Sequence, residues 1–154
     1  MPIWVIYAFL ASVSAALVGI FSKVGIKNID STVATAIRGF VIALSMGLTA
    51  LVLGKWETLA VTSLRSILFI VLAGIFGGLS WLWGFLALQA GGDVTAVNAI
   101  DRMSIILIFV FAYFFLSEQF TVQKLVGVLF VAIGVVLVTM SRTQLIGLFT
   151  QLWK

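Results

Sequence analysis

The chain has 154 residues, 63% hydrophobic and 9% charged, with a formal net charge of +4 and a mean hydropathy of +1.29. A water-soluble domain carries about 25% charged residues, so this chain cannot cover a water-facing surface and belongs in lipid. Cysteine and histidine are both absent, which removes disulfides, thiolate chemistry, the commonest metal ligand and the commonest proton shuttle near neutral pH. The bases stand singly near the ends of apolar runs, as interface anchors do, and do not suggest nucleic acid as a partner.

Five apolar segments follow one another. They must be helices, because an open strand edge in lipid leaves backbone groups unpaired and the pattern lacks the alternation of a barrel. The first is expected over 3–24, with Trp4 and Tyr7 at its start and Lys23 and Lys27 at its end. No basic residue precedes this run and it is long, so it reads as a span rather than a cleaved signal peptide. The second, 32–53, carries Arg38 inside it, and the polar connector Gly54 to Arg65 follows. The third, 66–90, is rich in glycine and holds Trp81 and Trp83, which point to different faces, so that at most one of them lines a cavity. The fourth, 96–117, opens with Asp101 and Arg102 side by side and is then free of charge until Glu118. The fifth, 124–141, follows the short link SEQFTVQK. The only proline is Pro2, so no proline kink is expected, and short loops make sequential helices antiparallel neighbours. Residues 1–141 are expected to form a single domain. In the tail, 142–154, Leu145, Leu148, Phe149 and Leu152 share one face, the pattern of an amphipathic helix lying in the interface.

Charges inside a hydrocarbon core are costly and mark function or a specific partner. Arg38 and Asp101 each lie about six residues into helices that enter from the same side, which puts both roughly 9 Å deep at about 1.5 Å per residue. At matching depth the two can pair, and pairing lowers the cost of burying either one. Such a pair has two readings: a structural tie, or part of a solute pathway or gate. Asp101 paired instead with Arg102 is a third arrangement. Asn98 shares a face with Asp101; Ser12 lies on a small-residue face of the first helix, and Thr35, Ser45 and Thr49 line up with Arg38 on the second. These faces turn either to a polar cleft or to each other. The candidate cavity or gate residues are therefore Arg38, Asp101, Asn98, Ser12 and Trp81, with Asp101 as the possible coupling acid. Pairing with Arg38 would weaken Asp101 as a proton carrier. Glu118 and Lys124 read as membrane-end anchors.

Nothing suggests catalysis: the sequence has no P-loop, no metal-ligand cluster and no Ser, His and Asp set, and no cofactor is implied. Without a nucleotide site, pumping must draw on an ion gradient or on the solute's own gradient. Lys55, Arg65 and Lys124 on one side face Lys23, Lys27, Arg142 and Lys154 on the other, a weak bias that leans toward a cytoplasmic C-terminus. A chain with so little bias and an odd number of spans can supply both halves of an inverted repeat as an antiparallel homodimer.

Four stretches carry a resemblance to a known family. FFLSEQFTVQKLVGVLFVAIGVVLV, from Phe114 to Val138, resembles the closing pattern of the EamA-like branch of the drug/metabolite transporter superfamily, with Ser117 in place of the usual glycine. NIDSTVATAIR (Asn28 to Arg38), SWLWGFLALQAG (Ser80 to Gly91) and VNAIDRMS (Val97 to Ser104) resemble the second, third and fourth helices of its five-helix bacterial and archaeal group. That group usually has proline where Ala99 stands and lysine where Arg102 stands. The resemblance implies an all-α membrane fold in which this chain is one inverted-repeat unit of a ten-helix assembly. It also implies a central cavity lined mainly by the first, third and fourth helices, a prokaryotic inner-membrane location, and export or exchange of amino acids and other small metabolites. The expected function is a secondary transporter of small polar solutes working by alternating access. A non-transporting membrane subunit of another complex is the alternative, and a channel or multidrug exporter a further one. Drug exporters of related build rely on an acid in the first helix, and this first helix has none.

Overall fold

In the computed structural model, residues 2–140 are described, and among them the regular structure is helical. The helices are α1 (Ile3–Gly25), α2 (Ser31–Val52), α3 (Leu64–Gln89), α4 (Val94–Asp101), α5 (Ser104–Leu116) and α6 (Val122–Thr139). They supply five segments long and apolar enough to cross a membrane, α4 and α5 together forming the fourth. The amphipathic tail expected over 142–154 lies outside the described residues.

Four of the six helices, α2, α3, α4 and α6, start at a side-chain cap. Asp30 accepts hydrogen bonds from the N–H groups of Thr32 (2.8 Å) and Val33 (3.4 Å) at the head of α2. Asp93 does the same for Thr95 and Ala96 at the head of α4, Ser63 for Ser66 in α3, and Thr121 for Lys124 in α6. Such caps satisfy backbone donors that have no partner inside the helix. The backbone and side-chain hydrogen bonds from Thr32 hold the Asp30 carboxyl below its usual pKa. Helix ends are equally explicit. At the end of α2, Gly54 takes a φ of +63°, with its N–H bonded to the Leu51 carbonyl and that of Lys55 to the Ala50 carbonyl. This is a Schellman closure, which needs a left-handed residue. At the end of α5 the left-handed position falls on Ser117, with φ +54°.

The chain divides into two compact units, Met1–Gly91 and Gly92–Lys154. In the first unit α2 packs along α3, and a 3₁₀ turn, Ile26–Asn28, touches both α1 and α3. Its tightly packed part sits at one end, where α1 leaves, α2 enters and α3 leaves. Ile26, Phe85 and Leu88 are buried there, and Ser31 is almost wholly enclosed. Two side chains latch the same end. Lys23 Nζ donates to the Leu88 carbonyl (2.9 Å), and Gln89 Nε2 donates to the Ile29 carbonyl (3.1 Å). Lys23 thereby places a cation at the C-terminal end of α3, where the helix dipole favours one. In the second unit α6 packs against both α4 and α5.

The segment expected as one helix over 96–117 is divided at Arg102 and Met103. Both residues keep right-handed helical dihedrals. The hydrogen bonds, however, tighten: Met103 N–H bonds to the Ile100 carbonyl, Ile105 to Arg102 and Ile106 to Met103. These are three-residue steps, so the interruption is a 3₁₀ turn inside one crossing. It needs no proline, consistent with Ala99 at the position where the related pattern has one.

Candidate functional site

Arg38 sits in the second turn of α2, about 10 Å along the helix from Ser31 at 1.5 Å per residue. It is half-buried. Its guanidinium carbon lies 4.2 Å from the centre of a Trp81 ring and 5.9 Å from that of Phe85, both on α3. Trp81 and Phe85 are one helical turn apart and so project from the same face of α3 toward α2. A cation over an aromatic face is attracted by the ring quadrupole, by about 2 kcal/mol when water is excluded. Among the described residues of this unit, no oxygen accepts a hydrogen bond from the guanidinium, which keeps its five N–H donors available. The aromatic faces hold the charge without using its hydrogen-bonding edge.

Beside Arg38 lies an open groove of about 340 Å³ between α1 and α2, with Phe21 and Ile37 largely exposed on its walls. Val18, Phe21 and Ser22 wall it from α1, Ala34 and Ile37 from α2, and Phe85 from α3. Ile26 and Ile29 close it at the latched end. Arg38 is the one charged residue in this lining.

The other expected residues divide between the two units. Trp81 is half-buried beneath Arg38, whereas Trp83, two residues on, is 62% exposed. The two tryptophans therefore do face apart. Ser12 is exposed on α1, and its hydroxyl donates back to the Phe9 carbonyl (2.8 Å). Thr35, Ser45 and Thr49 likewise donate to carbonyls of their own helix, so the hydroxyl stripe on α2 satisfies its donors locally. In the second unit, Asn98 is half-buried on α4 and its amide donates to the Val94 carbonyl (2.8 Å). Asp101 is the last residue of α4 and is exposed, next to exposed Arg102 at the 3₁₀ turn, and these neighbours form no ion pair with each other. Glu118 and Lys124 form an ion pair at 3.2 Å, each side chain about half exposed, between the end of α5 and the first turn of α6.

That ion pair borders a second cavity, about 450 Å³, within the second unit. Its aromatic wall is formed by Phe109 and Phe120, with ring centres 4.9 Å apart, and by Tyr113. Sequence reasoning singled out neither cavity. Phe85 was the overlooked residue of the Arg38 cluster, although its spacing of four from Trp81 was a readable signal. Among the described residues no group of acidic side chains is arranged to hold a metal ion.

Residues 2–140 match the model of the EamA-like transporter family. A Sinorhizobium sp. protein named "Uncharacterized transporter in cobO 3'region" is 36% identical over 134 residues, covering 87% of this chain and 94% of that one. No solved structure matches the chain. The five apolar crossings, the charge held on aromatic faces within one of them and this family match agree: the chain belongs to the EamA-like transporter family and is a multi-pass integral membrane protein.

Proposed function

We propose that the protein is a secondary transporter that moves small polar metabolites by alternating access. The observation that carries this reading is Arg38, a permanent cation inside a membrane span, half-buried on Trp81 with its donors unspent and opening beside a groove. A purely structural arginine at this depth is expected to be tied by carbonyls or carboxylates, because an unsatisfied charge in lipid is costly. Family membership supports transport as the activity.

On this reading Arg38 contacts the solute, and Trp81 holds it in place. The depth match in the sequence supports Asp101 as a second charged residue of the pathway, and so as part of the gate. Asn98 and Ser12 are secondary lining candidates. The near-balanced basic residues support assembly of two chains in opposite orientation, which would complete the inverted repeat.

Solute counterflow in liposomes tests the function. Uptake that saturates with solute and falls about tenfold or more in Arg38→Ala is expected, the size of losing a charge-assisted hydrogen bond. Asp101→Asn is expected to reduce the exchange rate while leaving solute binding in place. Uptake that never saturates would indicate a channel instead. A reporter fused to the C-terminus tests dual orientation, and activity in one compartment alone would remove it.

A further inference from the structure

We infer that the groove between α1 and α2 binds a small monocarboxylate with an apolar body, held by Arg38. This rests on the reading of Arg38 as the solute contact and names the chemistry that contact selects.

Charge comes first. Arg38 is the one charged residue that lines the groove. A single negative charge is therefore balanced on binding. A phosphate dianion would bring an uncompensated charge into the span, and a cationic solute would be repelled. Geometry comes second. The guanidinium lies over Trp81, 4.2 Å from the ring centre. Its planar fork stays open for two parallel N–H donations, the arrangement a carboxylate accepts. The stack also presets the orientation, so less side-chain freedom is lost on binding.

The walls supply the rest. Phe21, Val18, Ile37 and Phe85 are apolar and would flank the body of the ligand along the groove, while Ser22 is the one uncharged polar side chain in the lining. No carboxylate lines the groove to receive an ammonium group. A zwitterionic amino acid would leave its ammonium poorly matched there, at a cost a simple carboxylate avoids. The volume, about 340 Å³, is at the small end of ligand sites, which span about 300–1,000 Å³.

Three solutes of nearly equal shape separate the possibilities: isovalerate, its uncharged amide isovaleramide, and the zwitterion valine. Thermal unfolding of the purified full-length protein in detergent is followed as each is titrated. Isovalerate should raise the melting temperature in a concentration-dependent way, as a ligand of the folded state does. Isovaleramide and valine should do so only at about tenfold or higher concentration. Arg38→Gln should abolish the isovalerate response, and Arg38→Lys, which keeps the charge but loses the fork, should weaken it. The comparison among solutes in the unaltered protein stands even if a variant fails to fold. Equal stabilisation by isovaleramide or valine would overturn the proposal. So would a response only to phosphatidylglycerol, since Arg38 would then be answering a lipid headgroup. Counterflow separates this idea from transport itself. Isovalerate that binds but is not exchanged supports the site and removes the transport reading. Exchange of valine or a cation unaffected by Arg38→Gln keeps transport and removes the site.

Discussion

The two units of this chain carry charge into the membrane in different ways. In the first, α2 runs unbroken past Arg38, and the charge is held by side chains: the Trp81 and Phe85 rings on the neighbouring helix. In the second, Asp101 and Arg102 sit where the helix itself gives way to a 3₁₀ turn, and both are exposed. On the proposed reading, the stacked cation on a continuous helix is a preset binding group. Two charges at a tightened turn mark a place where a span can change shape, since a stretch of 3₁₀ inside a helix often accompanies a hinge. On the proposed alternating-access reading, the first region would hold the solute and the second would supply the movement.

The largest expected effect concerns the latched end of the first unit. Ile26 is 3% exposed in the turn between α1 and α2. Ile26→Ala should cost about 2–4 kcal/mol by denaturant titration in mixed micelles, from lost burial and the cavity left behind. Ile29, 40% exposed nearby, should cost far less on the same change, and equal losses would show that this end is not the packed centre of the unit. Next come the two tryptophans. Trp81→Leu removes the ring under Arg38 and should cost about 1–2 kcal/mol. Trp83→Leu swaps one exposed apolar group for another and should change stability by less than about 0.5 kcal/mol. A third test moves to the second unit. Ser117 is held at φ +54°, a conformation glycine adopts at little cost, so Ser117→Gly should stabilise by about 1 kcal/mol. The smallest effect is expected at Glu118 and Lys124. Their side chains are 52% and 49% exposed, so Glu118→Gln should cost less than about 1 kcal/mol and fade further with salt.

A pH prediction follows from Asp30. Its folded pKa lies below the unfolded one, so its contribution is present above the unfolded value and is lost as pH falls through the folded value. Acidification should therefore loosen the start of α2, and Asp30→Asn should flatten that dependence, read as hydrogen exchange of the Thr32 and Val33 amides.

Much of the fold was legible in the residues. Long apolar runs bounded by Lys23, Lys27, Lys55 and Arg65 mark the first three spans, because lipid demands closed backbone hydrogen bonding and rejects charge. The caps Asp30, Asp93 and Thr121 set starts that the apolar runs alone place one or two residues late. The glycine expected at Ser117 in the related pattern has its explanation in the left-handed backbone there. The turn at Arg102 was less legible. Without a proline, local sequence offers no strong helix breaker, and α4 and α5 on either side of the turn both pack against α6.

The candidate site divides along the same line. Sequence alone determined that Arg38 is a charge inside a span and that Trp81 and Trp83 face apart, since helical periodicity settles both. Only the tertiary structure decided that α3 lies beside α2 with Trp81 and Phe85 under the guanidinium, and that a groove opens on its α1 side. The physical reason is that a helix's own period fixes which residues share its face. Which face meets which neighbour is a property of the packed helices, and lipid, being as apolar as the side chains it touches, exerts little preference of its own.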